Sequence, residues 1–361
     1  MNVFFEILQV ALGNRSKLSR ILTTEEWNML LKEAERQAVV GILLDGIERL
    51  PEDQRPSHMV LFQWIGETLQ IEEQNKQLNK AAGHLSIICK NNRMNSCVLK
   101  GQGLARLYSN PLRRQAGDID LWVCPENSIY AKNNLSQIRC EVLKWLKDSS
   151  FKTSSVVIHH VDAEIIKNIE TEIHFMPIWL YNPWHNQKLQ KFFNENSNKQ
   201  FQNYNKSLGF CYPTPVFDIV YNLVHIFHHL LEEGIGIRHV VDYFYLLKEY
   251  AKSYNDNKSQ VMKTIESLDL GRFFSALMYV LKEICRAPEE ILLSKPDELE
   301  GKWLMNEIMA AGNFGHHRTD KNMHRNSLRR YAVMVKHYPS EALMMVPWKG
   351  WHWCWRKVNG Y

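Results

Sequence analysis

Hydrophobic residues recur at helical spacing through the first ninety residues of the chain. The segment Thr23–Glu26 combines hydroxyl and acidic side chains, which is typical of a helix start, and apolar positions three and four apart follow it. Further helical stretches cover 39–50 and about 58–90, and Gly83 is the point at which the longer one could break. The pattern therefore predicts an N-terminal helical region over residues 1–90.

The pattern changes from helical to mixed between residues 91 and 180. The predicted elements are a strand at 96–99, a helix at 104–108, a strand at 119–123, a helix at 131–147 and two strands at 156–166 and 170–178, joined by a tight turn near Lys167-Asn168. Strands interleaved with helices and followed by a hairpin indicate a small mixed sheet. The expected fold class is α+β, with this core flanked by N- and C-terminal helical regions.

The last half of the chain returns to helical patterns after a polar interval. Seven asparagines lie between residues 182 and 208, so 181–210 is predicted to be a linker or an exposed loop. Residues 211–361 form the predicted C-terminal helical domain, with a break at Gly312–Gly315.

The C-terminal tail is rich in tryptophan and basic residues. Its tryptophans are Trp348, Trp351, Trp353 and Trp355. A helix that docks on the sheet core is the favoured interpretation. An interfacial anchor at a membrane surface and an aromatic platform for nucleic acid are the alternatives.

Composition narrows the class of protein without choosing a function. Hydrophobic residues make up 45% of the 361 residues and charged residues 23%, which excludes a largely disordered chain. A net charge of +5 permits an anionic substrate but does not demand nucleic acid. Seven cysteines without a CxxC pair fit neither a disulfide framework nor a zinc knuckle. With no secretory signal pattern and no apolar run of about 20 residues, we expect a cytoplasmic protein without a membrane span.

Two acidic residues alternate with apolar ones at the start of the second predicted strand. Asp118 and Asp120 are two positions apart, so both carboxylates lie on the same face of the strand. Like charges this close resist joint ionisation unless a cation compensates them, and Mg²⁺ prefers such hard oxygen ligands. An exposed strand edge with acids facing water is the other interpretation of this pattern alone.

Residues before this strand suit phosphate binding. Gly101 follows the first predicted strand and precedes a helix, so the backbone there can approach a phosphate closely, and Lys100 adds a positive charge. Arg114 could contact a phosphate or pair with a carboxylate. An ordinary strand-to-helix turn and a solvated arginine are the alternatives.

Residues after the second predicted strand could complete a metal site. Glu172 and His174 share a face of the last predicted strand, and a third carboxylate there would serve as metal ligand or as general base. A structural ion pair is the alternative. On the preceding strand His160, Asp162 and Glu164 also share a face, and at least one of them is expected to face water.

A histidine cluster and a possible ion pair lie in the C-terminal helical region. His225 and His229 are four residues apart, a spacing that can hold zinc, although packed histidines are the favoured interpretation. Arg238 and Asp242, also four apart, could form a helical ion pair.

These motifs together resemble a bacterial family of uncharacterised nucleotidyltransferases in the DNA polymerase β superfamily. The matching residues are Val98-Leu99-Lys100-Gly101, Leu107-Tyr108, Pro111, Arg114, Gly117 to Leu121, and Glu172-Ile173-His174, with weaker likeness at His225, His229, Arg238 to Asp242 and Gly312 to Gly315. The resemblance implies a polymerase β-like nucleotidyltransferase core. It implies Asp118, Asp120 and Glu172 as catalytic and metal-binding residues. Where the wider superfamily has a Gly-Ser or Gly-Gly pair, this chain has Lys100-Gly101.

The motifs and the resemblance lead to a functional prediction. The protein is expected to move a nucleoside monophosphate from a nucleoside triphosphate, with ATP as the expected donor, to a hydroxyl or phosphate acceptor. Mg²⁺ or Mn²⁺ would be bound by Asp118, Asp120 and Glu172. Lys100, Gly101, Arg114 and His174 would contact the nucleotide. The acceptor stays open between a small molecule, a protein and RNA. The alternative function is a non-catalytic regulator that binds a nucleotide or a protein on the same fold.

Overall fold

The computed structural model of the chain describes residues 2–128, 130, 134–253, 257–313 and 327–361. It confirms the predicted α+β class, because a five-stranded mixed sheet lies among helices from both ends of the chain. Four helices precede the sheet: α1 Val3–Ala11, α2 Thr24–Arg36, α3 Val40–Arg49 and α4 His58–Asn91.

Local signals account for how the N-terminal helices begin and continue. Thr23 and Glu26 form a capping box at the start of α2, where each side chain bonds the other residue's backbone amide. The 34-residue α4 continues through Gly83, so the break considered at that residue is wrong. One glycine costs a helix only about 1 kcal/mol, and α4 buries residues such as Ala82 and Leu85 on both sides of that position.

The sheet strands are β1 Met94–Val98, β2 Ile119–Pro125, β3 Lys152–Thr153, β4 His160–Glu164 and β5 Thr171–His174. Their order across the sheet is β1-β2-β5-β4-β3. β2 and β5 are parallel, whereas the other neighbouring pairs are antiparallel. The β4–β5 hairpin is shorter than predicted, and Asn168 turns the chain between them with a positive φ of 63°. Asparagine tolerates this left-handed conformation better than most residues.

The connections between the strands differ in length from those expected. The helix predicted at 104–108 is a single turn, α5 Gln102–Ala105. The helix after β2 is α6 Leu135–Asp148, and residues 131–133 of its predicted range lie outside the part of the chain that the structure describes. Arg114 follows the short 3-10 turn Pro111–Arg113. This turn packs tightly on α3, because a Cβ atom added to Gly41 would lie only 2.5 Å from the carbonyl oxygen of Arg113.

The prediction of a linker or exposed loop at 181–210 is wrong in its secondary structure. The segment contains the 20-residue helix α7 Pro183–Gln202, which buries Leu189 and Phe193. Asn182 caps this helix by accepting a hydrogen bond from the Trp184 amide. A short hairpin follows, with β6 Tyr204–Asn205 and β7 Phe210–Cys211. The division of the chain into domains at 90, 180 and 210 stays a prediction.

Helices make up the rest of the described chain. They are α8 Pro215–Glu232, α9 Ile237–Ser253, α10 Lys258–Ser267, α11 Gly271–Cys285, α12 Glu298–Ala311, α13 Ser327–His337 and α14 Pro339–Asn359. Gly312 caps the end of α12, where a break was predicted, while residues 314 and 315 lie outside the described chain. None of the described helices is both long and apolar enough to span a membrane.

The tryptophan-rich tail forms α14 and packs against the sheet core. Trp348 stacks on Trp179 with ring centroids 4.9 Å apart, and the guanidinium of Arg139 lies 4.7 Å from the ring of Trp355. This arrangement agrees with the docking interpretation of the tail. Trp351 and Trp353 keep half or more of their surface exposed.

Candidate active site

Strand register places three carboxylates in one row across the sheet. Asp120 of β2 lies opposite Glu172 of β5, and Glu172 lies opposite Asp162 of β4. Directly paired residues point to the same face of a sheet, so these side chains share a face. His174 and His160, which are paired with each other, form part of the next row on that face.

Asp120 is buried and held by two basic side chains. The Nζ atom of Lys100 lies 3.0 Å from its Oδ1 atom, and Nε2 of His174 lies 3.2 Å from the same oxygen. Only 2% of Asp120 is exposed, and its Oδ2 atom has no hydrogen-bond partner among the described residues. A buried carboxylate oxygen without a partner is costly, so this atom is suited to accept a ligand that the described residues do not provide.

Glu172 and His174 form a coupled pair beside Asp120. Nε2 of His174 lies 3.1 Å from Oε2 of Glu172. Burial alone would raise the pKa of Glu172, but its hydrogen bond with His174 and the positive charges of His174, His160 and Lys100 lower it to about 2. Burial alone would lower the pKa of His174, but its hydrogen bonds to Asp120 and Glu172 raise it to about 9. The pair is thus strongly polar and charged although His174 is buried and Glu172 half-buried.

Donor atoms of Asp120, Glu172 and His174 lie within 4.8 Å of one another, a group able to hold a metal ion. Among the residues that the structure describes, Asp118 belongs to no such three-ligand group. Asp118 is half-buried just before β2 and lines two cavities. The structure thus brings Asp120, Glu172 and His174 together and leaves Asp118 at the rim.

The first cavity, here called the cationic cavity after its three strong cations, is lined by residues from β2, from the loops next to β1 and β2, and from α8 and α9. Its walls carry Lys100, Arg114 and Arg238, the rings of His225 and His239, Gly101, and the carboxylates of Asp118, Asp120 and Asp242. Its free space is only about 30 Å³, enough for a water molecule but not for a nucleotide.

Each strongly basic group of the cationic cavity contacts a neighbour across the fold. Arg114 donates two hydrogen bonds to Asp242, from Nε to Oδ1 at 2.6 Å and from Nη2 to Oδ2 at 2.8 Å. Lys100 Nζ lies 3.0 Å from Nε2 of His225. Burial, then the charge of Lys100, lower the pKa of His225 well below its usual value, so the neutral ring accepts this bond. Burial and the nearby Arg114 lower the pKa of Arg238 to about 10.

Gly101 takes a backbone conformation that favours glycine. Its φ is 60° and its ψ is −111°, immediately before the single turn α5. A Cβ there would lie 3.7 Å from the Asp118 carbonyl oxygen. The Lys100-Gly101 turn and the Asp118 loop are therefore neighbours, which brings the two predicted motifs to one end of the sheet.

The second cavity, here called the acidic cavity, opens on the other side of Asp118. It measures about 630 Å³, and five carboxylates line it against a single lysine, Lys152. The acidic residues are Asp118, Asp162, Glu164, Glu170 and Glu172. Asp162 and Glu164 keep 57% and 42% of their side chains exposed, as expected for acids that face water.

Comparison with known proteins identifies the family of the chain. A model of the family described as uncharacterised nucleotidyltransferase matches residues 23–286, well over half of the chain. The chain belongs to this family. No curated protein and no solved structure matches it. The earlier resemblance to this family is thus confirmed, and nucleotidyl transfer is the general reaction that the family name supports.

The histidines of α8 in this member of the family pack as a cluster. Nε2 atoms of His225 and His229 lie 3.1 Å apart, and within the described chain neither residue belongs to a three-ligand metal group. The favoured interpretation of packed histidines therefore agrees with the structure. Arg238 donates a hydrogen bond to the Gln115 carbonyl oxygen at 2.9 Å.

Some contacts of the residues around the site were not indicated by the sequence. Tyr108 donates a hydrogen bond to Asp242 at 2.5 Å, and a ring nitrogen of His159 lies 2.7 Å from a ring nitrogen of His160. His159 also packs on Trp179, which contacts Trp348 of α14. The Tyr108–Asp242 and Trp179–Trp348 contacts join distant segments, so no local pattern could have indicated them.

Proposed function

We propose that the protein transfers a nucleoside monophosphate from a nucleoside triphosphate to an acceptor, with Asp118, Asp120 and Glu172 as the metal-binding and catalytic carboxylates. The observation that carries this proposal is the direct pairing of Asp120 with Glu172 on adjacent parallel strands, with one oxygen of Asp120 left without a partner among the described residues.

The carboxylate set fits a hard divalent ion. Asp120 and Glu172 offer oxygen atoms within one small group, and Asp118 at the cavity rim could add a third carboxylate. We propose Mg²⁺ or Mn²⁺ as the bound ion. Such ions, when bound, compensate the charge of the phosphates and of the attacking and leaving oxygens.

The cationic cavity is the proposed site of the phosphates, and ATP is the proposed donor. Lys100 and Arg114 provide positive charge, Gly101 lets the backbone approach, and His174 donates from the sheet face. Since little free space exists there in the described state, nucleotide binding requires these side chains to move aside. Arg114 is paired with Asp242 and Lys100 with Asp120, so each cation must exchange a carboxylate partner for a phosphate.

The reaction follows from these placements. An acceptor oxygen attacks the α-phosphorus and forms a new P–O bond. The bond between the α-phosphorus and the α–β bridging oxygen breaks, and pyrophosphate leaves. Glu172 is the proposed general base that takes the proton of an acceptor hydroxyl, because it borders the acidic cavity where an acceptor could enter. Lys100 holds the leaving phosphates.

The acceptor is proposed to enter through the acidic cavity, which is large enough for a small molecule or for a protein side chain. An RNA end is the third candidate, and its phosphates would meet five carboxylates there. We also propose a cytoplasmic location, since none of the seven cysteines is paired and thiols persist in a reducing compartment.

The proposal is tested with ATP labelled at the α- or the γ-phosphate, Mg²⁺ or Mn²⁺, and sets of small-molecule, protein and RNA acceptors. The expected result is α-label in a product and γ-label in pyrophosphate. Asp120→Asn and Glu172→Gln should reduce transfer by roughly 100-fold or more. Glu67→Gln, which changes an exposed acid of α4, is the matched control. Transfer of γ-label, or equal transfer by wild type and Asp120→Asn, would contradict the proposal.

One observation favours the alternative of a non-catalytic regulator. Lys100 and His174 already neutralise Asp120, so the cluster does not need a metal ion for charge balance. Calorimetry with ATP in the presence of EDTA separates the two functions. Tight binding that needs no divalent ion, together with no turnover, would support the regulator.

A further inference from the structure

We propose that His174 is a nitrogen ligand of the metal, so that Asp120, Glu172 and His174 form a mixed nitrogen–oxygen site that takes a transition-metal ion such as Mn²⁺, Co²⁺ or Zn²⁺ in preference to Mg²⁺. This inference rests on the proposed function, because it refines the ion that the carboxylates bind.

The spacing of the donor atoms matches a coordination shell. Nε2 of His174 lies 3.2 Å from Oδ1 of Asp120 and 3.1 Å from Oε2 of Glu172. Metal–ligand bonds of about 2.1 Å at right angles place two ligand atoms about 3.0 Å apart. Nε2 of His174 therefore already stands from each of the two oxygens at the separation that a common metal ion would impose.

Burial leaves one oxygen of the cluster unsatisfied. His174 and Asp120 are 3% and 2% exposed, and Oδ2 of Asp120 has no partner in the part of the chain that the structure describes. Lys100 and a protonated His174 balance the charge of the cluster, but both approach the other oxygen of Asp120, Oδ1. A metal ion would replace the proton on His174 and could also use the second oxygen of Asp120.

The surroundings are rich in nitrogen donors. His159, His160 and His174 form a second group whose ring nitrogens lie within 4.8 Å of one another, and Nδ1 of His160 is 3.9 Å from Oε2 of Glu172. Mg²⁺ favours oxygen ligands and retains its waters, whereas imidazole favours transition metals. The sheet face therefore offers a donor set that differs from the all-carboxylate set proposed above.

The test uses the full chain, stripped of metal with EDTA and loaded with Mn²⁺ and a non-hydrolysable ATP analogue. Pulsed EPR detects magnetic coupling between bound Mn²⁺ and a directly ligated imidazole nitrogen. We expect a ¹⁴N coupling in the wild type that changes to a ¹⁵N pattern when the histidines are labelled with ¹⁵N. It should vanish in His174→Gln and persist in His84→Gln, which replaces an exposed histidine of α4.

The outcomes separate this inference from the proposed function. Bound Mn²⁺ that is lost in Asp120→Asn but shows no nitrogen coupling would overturn the role of His174 and leave the carboxylate site intact. A nitrogen coupling that survives in His174→Gln would also overturn the role of His174. Absence of any bound Mn²⁺ would overturn both proposals. If His174→Gln does not fold, the isotope comparison in the wild type still shows whether any histidine nitrogen ligates the ion, and absence of the ¹⁵N pattern there would overturn the inference.

Discussion

The two cavities that share Asp118 differ in charge and in volume. The cationic cavity has three strong cations, Lys100, Arg114 and Arg238, against three carboxylates and holds about 30 Å³ of free space, whereas the acidic cavity holds about 630 Å³ and has five carboxylates against one lysine. The contrast gives a physical basis for the proposed separation of two substrates at one site. On that proposal, phosphates bind on the side of Asp118 that has the strong cations, and an acceptor that carries little negative charge is favoured on the other.

The contrast also shows how differently the two sides are built. The walls of the cationic cavity are buried. Side-chain contacts such as the Arg114–Asp242 ion pair join the sheet region to α8 and α9. Acids of the acidic cavity lie partly in water, as Asp162 and Glu164 do. Substitutions on the cationic side should therefore affect both stability and activity, and those on the acidic side mainly acceptor choice.

The largest expected effect is on the buried pair behind the cationic cavity. Asp242→Asn leaves Arg114 buried without its carboxylate, so the free energy of unfolding should fall by about 3–5 kcal/mol. Urea denaturation measures the free energy of unfolding. Glu249→Gln breaks the exposed pair with Lys252 and serves as the control, for which little change is expected. Equal stability of Asp242→Asn and wild type would mean that the pair does not hold the cavity wall.

Lys100 is expected to matter for nucleotide binding. Lys100→Met removes the positive charge nearest Asp120, so the Kd for ATP should rise by roughly 10- to 100-fold, as for loss of a charge-assisted contact. Calorimetry in the presence of Mn²⁺ measures this, and Lys100→Arg should restore part of the affinity. An unchanged Kd for Lys100→Met would break the assignment of phosphates to the cationic cavity.

Acid should destabilise the packing of the buried histidines on α8 and α9. Burial lowers the pKa of His228 on α8 to about 4, and burial also lowers the pKa of His225 and His239. Below the unfolded pKa of about 6.5 the unfolded chain gains protons that the folded chain does not. Stability is therefore fully present above this value and is lost as the pH falls towards 4.

The loss is expected to be about 1 kcal/mol for each such histidine between pH 6.5 and 5.5. Urea titrations at the two pH values measure the difference in the free energy of unfolding. His228→Gln should reduce that difference by about 1 kcal/mol, the contribution of one histidine. A free energy of unfolding that stays constant from pH 7 to 5.5 would contradict the buried, neutral state of these rings.

The smallest expected effect is on acceptor choice in the acidic cavity. Asp162→Asn and Glu170→Gln remove charges that are open to water, so discrimination between a cationic acceptor and its neutral counterpart should fall only a few-fold. Glucosamine and N-acetylglucosamine form such a matched pair of probes. The KM for ATP should not change. A larger effect on ATP than on the acceptor would reverse the assignment of the two cavities.

Local patterns were enough to predict the sheet core. Alternation along one strand indicated Ile119–Val123 within β2, and the spacing of Glu172 and His174 placed them on one face of another strand. These features depend on the period of a strand, which a sequence displays directly.

Other features depend on packing between distant segments. Lys100 meets His225 across 125 positions, and Arg114 meets Asp242 across 128, so no local spacing indicates either contact. The asparagine-rich segment after residue 181 was predicted to be loop because asparagine has low helix propensity. Burial of Leu189 and Phe193 outweighs that preference and produces α7.

The most direct test of the two-cavity account is a crystal structure with Mn²⁺ and a non-hydrolysable ATP analogue, with the manganese located by its anomalous scattering. We expect manganese within ligand distance of Asp120 and Glu172, and the β- and γ-phosphates beside Lys100 and Gly101 in an enlarged cationic cavity. The acidic cavity should remain open to solvent. Phosphates bound among Asp162, Glu164 and Glu170, or manganese away from Asp120 and Glu172, would contradict the account.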